Sequence, residues 1–235
     1  MLARLFTEQF SFARGDSVLV IGLGRFGGAV ADSLMRLGHD VLGIDARAEV
    51  VQRWADHLTH AVEVDATDVQ ALRQLGAADF AHAVVGIGSD LSASLMSVMA
   101  LAELGIRDIW AKANSPQHGQ LALRIGAHHV VYPEADMGER VAHLITGRMM
   151  DFIEFDDGFA IAKIHAPEEV VGLPLAQSRV RERFGVTVVG VKRPQTDFVH
   201  ATGETTPAAG DILIVSGPTR KIEAFAGRRE GKHRP

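Results

Sequence analysis

Three glycines spaced Gly-x-Gly-x-x-Gly, at Gly22, Gly24 and Gly27, close the apolar run Val18 to Ile21, and a lone carboxylate, Asp45, closes the next apolar run, Val41 to Ile44. That combination suits the binding of an adenosine phosphate. Gly22 permits a tight turn, Gly24 lets the backbone approach a phosphate oxygen, and Gly27 lets the following helix pack closely on the strand. The helix is announced by Phe26, Val30, Leu34 and Leu37 at helical spacing and stopped by Gly38. Its first amides face the anion. Asp45 is placed to accept hydrogen bonds from ribose hydroxyls and to repel a 2′-phosphate, which disfavours NADP. The glycines and Asp45 do not by themselves separate NAD from ATP or ADP, and a Rossmann-like unit that has lost its ligand shows the same pattern.

The elements that must hold these residues alternate. After Asp45 a helix near Glu49 to His57, a strand at His60 to Glu63, the segment Asp65-Ala66-Thr67-Asp68 and a helix Val69 to Leu75 follow in turn, with Thr67 or Asp68 as the cap. Strands at Ala83 to Ile87, Asp108 to Ala113 and Val130-Val131, with a helix Leu91 to Leu104, complete a pattern that predicts a parallel α/β sheet covered by helices on both faces. A helix over Met137 to Met150 leads to period-two segments, Phe152 to Phe155 and Ala160 to Ile164, around the turn Asp156-Asp157-Gly158. Beyond these come a helix Leu175 to Phe184, strands Val186 to Val191 and Asp211 to Val215, and a helix Thr219 to Phe225. The expected organisation is an N-terminal extension 1–14, a Rossmann domain 15–136, a crossover helix 137–151, a small α+β domain 152–227 and a basic tail 228–235. The extension is either an amphipathic contact arm or a segment laid over its own domain.

Composition narrows the function classes. The chain has 235 residues, a formal charge of −5, 47% hydrophobic residues and no cysteine. The lack of cysteine removes disulfides, thiolate chemistry and cysteine-ligated metals. The mild charge, without a basic stripe before the last eight residues, argues against a nucleic-acid partner. Neither a cleavable leader nor a stretch of about 20 apolar residues is evident, so a cytoplasmic chain without a membrane span is expected.

The motifs IGLGRFG (Ile21 to Gly27), Asp65-Ala66-Thr67, AVVGIG (Ala83 to Gly88), WAKA (Trp110 to Ala113) and IGAHHVVYPEADMG (Ile125 to Gly138) resemble the RCK (KTN) regulatory subunits of bacterial potassium transporters, of the KtrA and TrkA kind. The trailing segments VTVVGVKR and GDILIVSG resemble that family's C-terminal domain. The resemblance implies a homodimer assembled into an octameric ring under a membrane potassium transporter of the KtrB or TrkH type, at the inner face of the membrane. There ATP favours the active and ADP the inactive state. It implies no catalysis.

Candidate site residues follow. Arg25, inside the glycine turn beside Phe26, can fork onto terminal phosphate oxygens; the alternative is a solvent-facing arginine. By the resemblance Asp65, Ala66 and Thr67 line the adenine side, and Ile87, Gly88 and Ser89 the phosphate or ribose side. Thr67 could equally serve only to cap a helix. Lys112, Asn114 and His118 follow the fifth strand, Lys112 either neutralising phosphate or simply solvated, His118 either a contact or a surface residue. Glu134 reads alone as a turn residue, but the resemblance places it at the dimer interface, holding Mg2+ or Na+ near the γ-phosphates. The family also accepts cyclic di-AMP between C-terminal domains, where Val180, Arg181, Val189 and Pro207 correspond, although a dimer core explains the valines as well. The main rival is an NAD-dependent oxidoreductase. Against it, His165 and His200 have no accompanying constellation for acid–base work. A nucleophile elbow, a P-loop and a helix-turn-helix are likewise missing from the sequence.

Overall fold

A computed structural model describes residues 17–145, 149–155 and 158–227. The expected N-terminal extension, the basic tail and Asp156-Asp157 of the turn lie outside the described residues. The chain divides into two compact units, with the boundary between Ala135 and Asp136.

In the first unit β1 (Ser17–Ile21), β2 (Asp40–Asp45), β3 (His60–Glu63), β4 (His82–Val85), β5 (Asp108–Lys112) and β6 (His129–Val131) form one parallel sheet, ordered β3-β2-β1-β4-β5-β6. The intervening helices are α1 (Arg25–Arg36), α2 (Ala48–Trp54), α3 (Val69–Gln74), α4 (Leu91–Glu103) and α5 (Pro116–Arg124). Alternation along β1 explains the layers. Val18 and Val20 pack with Ala31 of α1 and Val50 of α2, whereas Leu19 and Ile21 pack with Leu72 of α3 and Val98 and Leu101 of α4. A strand buried on both faces reads as a continuous apolar run, as Val18 to Ile21 does.

α5 was not evident as a helix, because Gly119 interrupts a short polar stretch. Its start is nevertheless encoded: the Ser115 hydroxyl accepts the His118 N–H at 3.2 Å, and Pro116 takes the first turn, where its missing N–H costs nothing. The same preference starts α6 (Pro133–Ile145) at Pro133 rather than Met137. That helix is described only to Ile145; the Met150 N–H bonds the Lys163 carbonyl at 2.7 Å, outside any helix.

The second unit is a five-stranded antiparallel sheet, ordered β10-β9-β11-β8-β7. Its strands are β7 (Asp151–Phe155), β8 (Phe159–His165), β9 (Thr187–Lys192), β10 (Phe198–His200) and β11 (Ile212–Pro218). Short helices α7 (Leu175–Ser178) and α8 (Val180–Phe184) replace one expected helix, because Arg179 adopts φ 49° between them. With α9 (Thr219–Ala226) they cover a core of Ile164, Val191, Leu213, Val215, Ile222 and Phe225. Thus the α/β Rossmann-like sheet and the following α+β domain are both present.

Candidate functional site

The chain leaves β3 on one flank of β1 and re-enters the sheet as β4 on the other, so the order reverses at β1. Ligands of open α/β sheets bind in the crevice at such a point, outside the carboxyl ends of the strands. Hydrogen bonds tie the tip of β1 to both neighbours. Gly22 N–H donates to Ile44 O and Gly86 N–H donates to Ile21 O, each at 2.7 Å.

A cleft of about 1040 Å³ opens over this junction. The three glycines meet different surroundings. Gly22 has φ +85°, and a Cβ there would lie 2.9 Å from Ile87 Cγ1; a Cβ on Gly27 would lie 2.0 Å from Gly22 O. These two hold turn and helix together. A Cβ on Gly24 would meet nothing within 4 Å, so Gly24 keeps space open on the cleft lining itself.

Asp45, at the end of β2, lines the cleft, with its side chain 5% exposed. It accepts the Leu23 N–H at 2.9 Å, and from Arg47 the backbone N–H at 3.1 Å, Nε at 3.0 Å and Nη2 at 3.2 Å. Burial pushes the carboxyl pKa up, but the hydrogen bonds from Arg47 and Leu23, with the Arg47 charge, outweigh it and leave Asp45 below its ordinary value. A depressed carboxylate pKa contributes stability that is present above the ordinary value and lost as pH falls through the folded one. Asp45→Asn is therefore expected to flatten the acid limb of the stability curve below about pH 4, measured as urea midpoint against pH.

At the glycine-turn end, Arg25 and Phe26 share the cleft lining with Lys112, Asn114 and Glu134. Lys112 Nζ donates to Glu134 Oε1 at 2.6 Å and lies 5.9 Å from the Phe26 ring centre. That hydrogen bond holds the Glu134 carboxyl below its usual range, with a smaller attraction from Arg25. Asn114 Nδ2 donates to the Gly88 carbonyl. Ile87, Gly88 and Ser89 border the same space.

Asp65, Ala66 and Thr67 line the cleft beyond β3. The Thr67 N–H and hydroxyl both donate to Asp65 Oδ1, at 2.9 and 2.8 Å, which lowers the Asp65 pKa. Thr67 does not cap α3; Asp68 does, accepting from Gln70 and Ala71 N–H.

Other lining residues carried no signal at their own positions. Trp54 donates from Nε1 to Leu23 O at 3.1 Å, and its ring lies where a Cβ on Gly28 would come within 2.3 Å. The fourth glycine, directly after Gly27, was the one sign of such a neighbour. Ser97 on α4 is fully buried, borders the cleft, and its hydroxyl has no partner among the described residues. An orphaned hydroxyl and the open space at Gly24 both fit a bound nucleotide.

His118 departs from expectation. It is 5% exposed and absent from the cleft lining. Nδ1 accepts the Asn114 N–H at 3.4 Å and Nε2 meets Ser94 Oγ at 3.2 Å, while burial lowers its pKa. A neutral ring accepting at Nδ1 carries its proton on Nε2, so it donates to Ser94 and is not a base for that hydroxyl. Its role is to fix the loop between β5 and α5.

In the second unit Val180 and Pro207 are buried, whereas Arg181 and Val189 are exposed. Only the latter two are available to an effector on this chain's own surface. Among the described residues no group of three or more His, Asp or Glu side chains is arranged to hold a metal, and no helix is long and apolar enough to cross a membrane.

Comparison with known proteins agrees with this architecture. Residues 18–133 match the TrkA-N domain and residues 159–228 the TrkA-C domain. The chain is 34% identical over 210 residues to Ktr system potassium uptake protein C of Bacillus subtilis, covering 89% of this chain and 95% of the relative. It is 32% identical to Ktr system potassium uptake protein A of the same organism, covering 95% and 98%. Among solved structures, the GsuK RCK domain superposes with a TM-score of 0.63 at 17% identity, covering 98% of this chain and 53% of that one. A GsuK channel solved with NAD bound gives 0.62 at 17% identity, covering 100% and 44%. The chain thus spans about half of those solved chains, and at such identity they support the fold alone. The curated relatives are matched almost end to end at above 30% identity, and on that footing the chain belongs to the RCK (KTN) family of potassium-uptake regulatory subunits, of the KtrA and TrkA kind.

Proposed function

We propose that the chain is a nucleotide-sensing gating subunit of a potassium uptake system, taking ATP or ADP in the first unit's cleft as an effector that is not consumed. The observation that carries this reading is the charge arrangement beside the glycine turn. Arg25 and Lys112 line the same cleft as Gly24, and Lys112 is held by Glu134. A polyphosphate placed there competes for the same ammonium, and a longer phosphate chain does so more strongly. Lys112, once taken by phosphate, releases Glu134. A released Glu134 is an oxygen ligand suited to Mg2+ or Na+ beside the phosphates, and the family resemblance would bring a second copy's Glu134 to the same ion.

The remaining parts of the reading are carried over from the family resemblance as part of the proposal. Two chains pair, pairs assemble into an octameric ring, and the ring docks at the inner face of the membrane on a transporter subunit of the KtrB or TrkH type. Supporting a sensor rather than an oxidoreductase, the buried His118 does not border the cleft, and its two ring nitrogens are engaged by the Asn114 N–H and the Ser94 hydroxyl. Cyclic di-AMP is a further effector to include in testing.

The test is thermal shift and light scattering with ATP, ADP, NADH and cyclic di-AMP, on the parent chain and on Arg25→Ala. Stabilisation by ATP and ADP with different assembly sizes is expected, and Arg25→Ala should bring the two affinities together, weakening ATP about tenfold more than ADP. Equal losses for both would remove Arg25 from the sensing role. A preference for NADH without any change in assembly would favour the oxidoreductase.

A further inference from the structure

An ionised carboxylate offers about four lone-pair positions. On Asp45 four donors occupy them: Oδ2 accepts Leu23 N–H and Arg47 Nη2, and Oδ1 accepts the Arg47 N–H and Arg47 Nε. Two of the four come from one guanidinium. With the Asp45 side chain 5% exposed, little of it is left for any further donor. The Arg47 side chain is 58% exposed and borders the cleft, so it can leave Asp45 without disturbing the core.

The position of Arg47 is itself unusual. It stands at the N-cap of α2, where Ser, Thr, Asp or Asn would normally accept an amide of the first turn, and its side chain makes no capping bond. The helix forgoes a cap, and the side chain turns back onto Asp45 instead.

We infer that Arg47 is an intramolecular competitor for the ribose acceptor: its guanidinium occupies the Asp45 oxygens that a ribose diol would use, and a ribosyl ligand is read by Asp45 only after displacing it. This rests on the nucleotide reading above. The exchange leaves the two backbone donors in place and swaps two hydrogen bonds from a charged guanidinium for two from neutral hydroxyls. The net gain from the ribose hydroxyls is therefore small in the parent chain, and affinity comes chiefly from the phosphates and the base. Arg47 thus acts on specificity through Asp45 and is a positioning residue.

The test is calorimetric titration of the full chain with ADP and with 2′-deoxy-ADP, for the parent, Arg47→Gln and Arg47→Asn. In the parent the two ligands should differ by less than about threefold. In both variants ADP should tighten about tenfold while 2′-deoxy-ADP gains less, so that the ratio between them widens. Glutamine is a poor N-cap and asparagine a good one, so a gain confined to Arg47→Asn would report helix capping and overturn the inference. An unchanged ratio would overturn it as well. Weaker ADP binding in the variants would do the same, by placing the guanidinium on the ligand. ADP binding to none of the three proteins would remove the nucleotide reading itself, and the inference with it.

Discussion

Replacing Gly27 by alanine is expected to lower the melting temperature by about 10 °C, through a loss of about 3 kcal/mol. In an ordinary helix this substitution gains nearly 1 kcal/mol, because alanine is the better helix former. Gly27 lies in the first turn of α1, where the added Cβ would sit 2.0 Å from Gly22 O. That oxygen belongs to backbone, and Gly22 is bonded in turn to Ile44 O. Relief requires α1 to withdraw from β1, which opens the packing of Ala31 against Val18 and Val20. The steric term exceeds the propensity term, so the sign reverses. A calorimetric scan decides it, and a melting temperature at or above that of the parent would contradict the packing described.

Gly24→Ala should do the opposite. Gly24 has φ −70°, an angle that L-residues adopt freely, and its Cβ would meet no atom within 4 Å. The melting temperature of the ligand-free protein should stay within about 2 °C of the parent. Binding is where the cost falls, because the methyl group enters the space from which a phosphate oxygen must reach the turn amides. A loss of at least about 100-fold in ADP affinity, near 2.7 kcal/mol, is expected by titration. The pair makes a clear contrast: two glycines three residues apart, one required for the fold and one for the ligand. Retained binding in Gly24→Ala would place the phosphates away from this turn.

What the sequence disclosed and what it hid follow from the range of the interactions. The glycine turn and Asp45 are marked by their own or adjacent residues, Asp65 and Gly88 entered only through the family resemblance and Lys112 through its place at a strand end, and the structure puts them around one cleft. Arg47 and Trp54 had no such mark. Arg47 reads as an ordinary loop arginine until its side chain is seen turned back on Asp45, and Trp54 as part of an amphipathic helix until Leu23 O and Gly28 are found beside it. His118 failed differently: a histidine just beyond a strand end is commonly exposed, but here Ser94, from another helix, supplies the partner that makes burial affordable. Arg179 and the brief β10 illustrate a third limit. A non-glycine residue at positive φ and an edge strand of three residues are imposed by tertiary packing, and periodicity carries no trace of either.

The reversal of strand order at β1 also sets a sequence of events during folding. Val18 pairs with Val41 on one side but with His82, much further along the chain, on the other. Closing the longer loop costs more entropy, so β1, β2 and β3 are expected to associate first and β4 to dock onto them afterwards. Until it docks, the open edge of β1 presents Val18 to Ile21, apolar on both faces, to any other chain nearby. The cleft comes into being only with that docking step, since about a third of its lining follows β4. A ligand held there binds the docked form alone, and should slow the unzipping of β4 from β1 more than it speeds the first collapse.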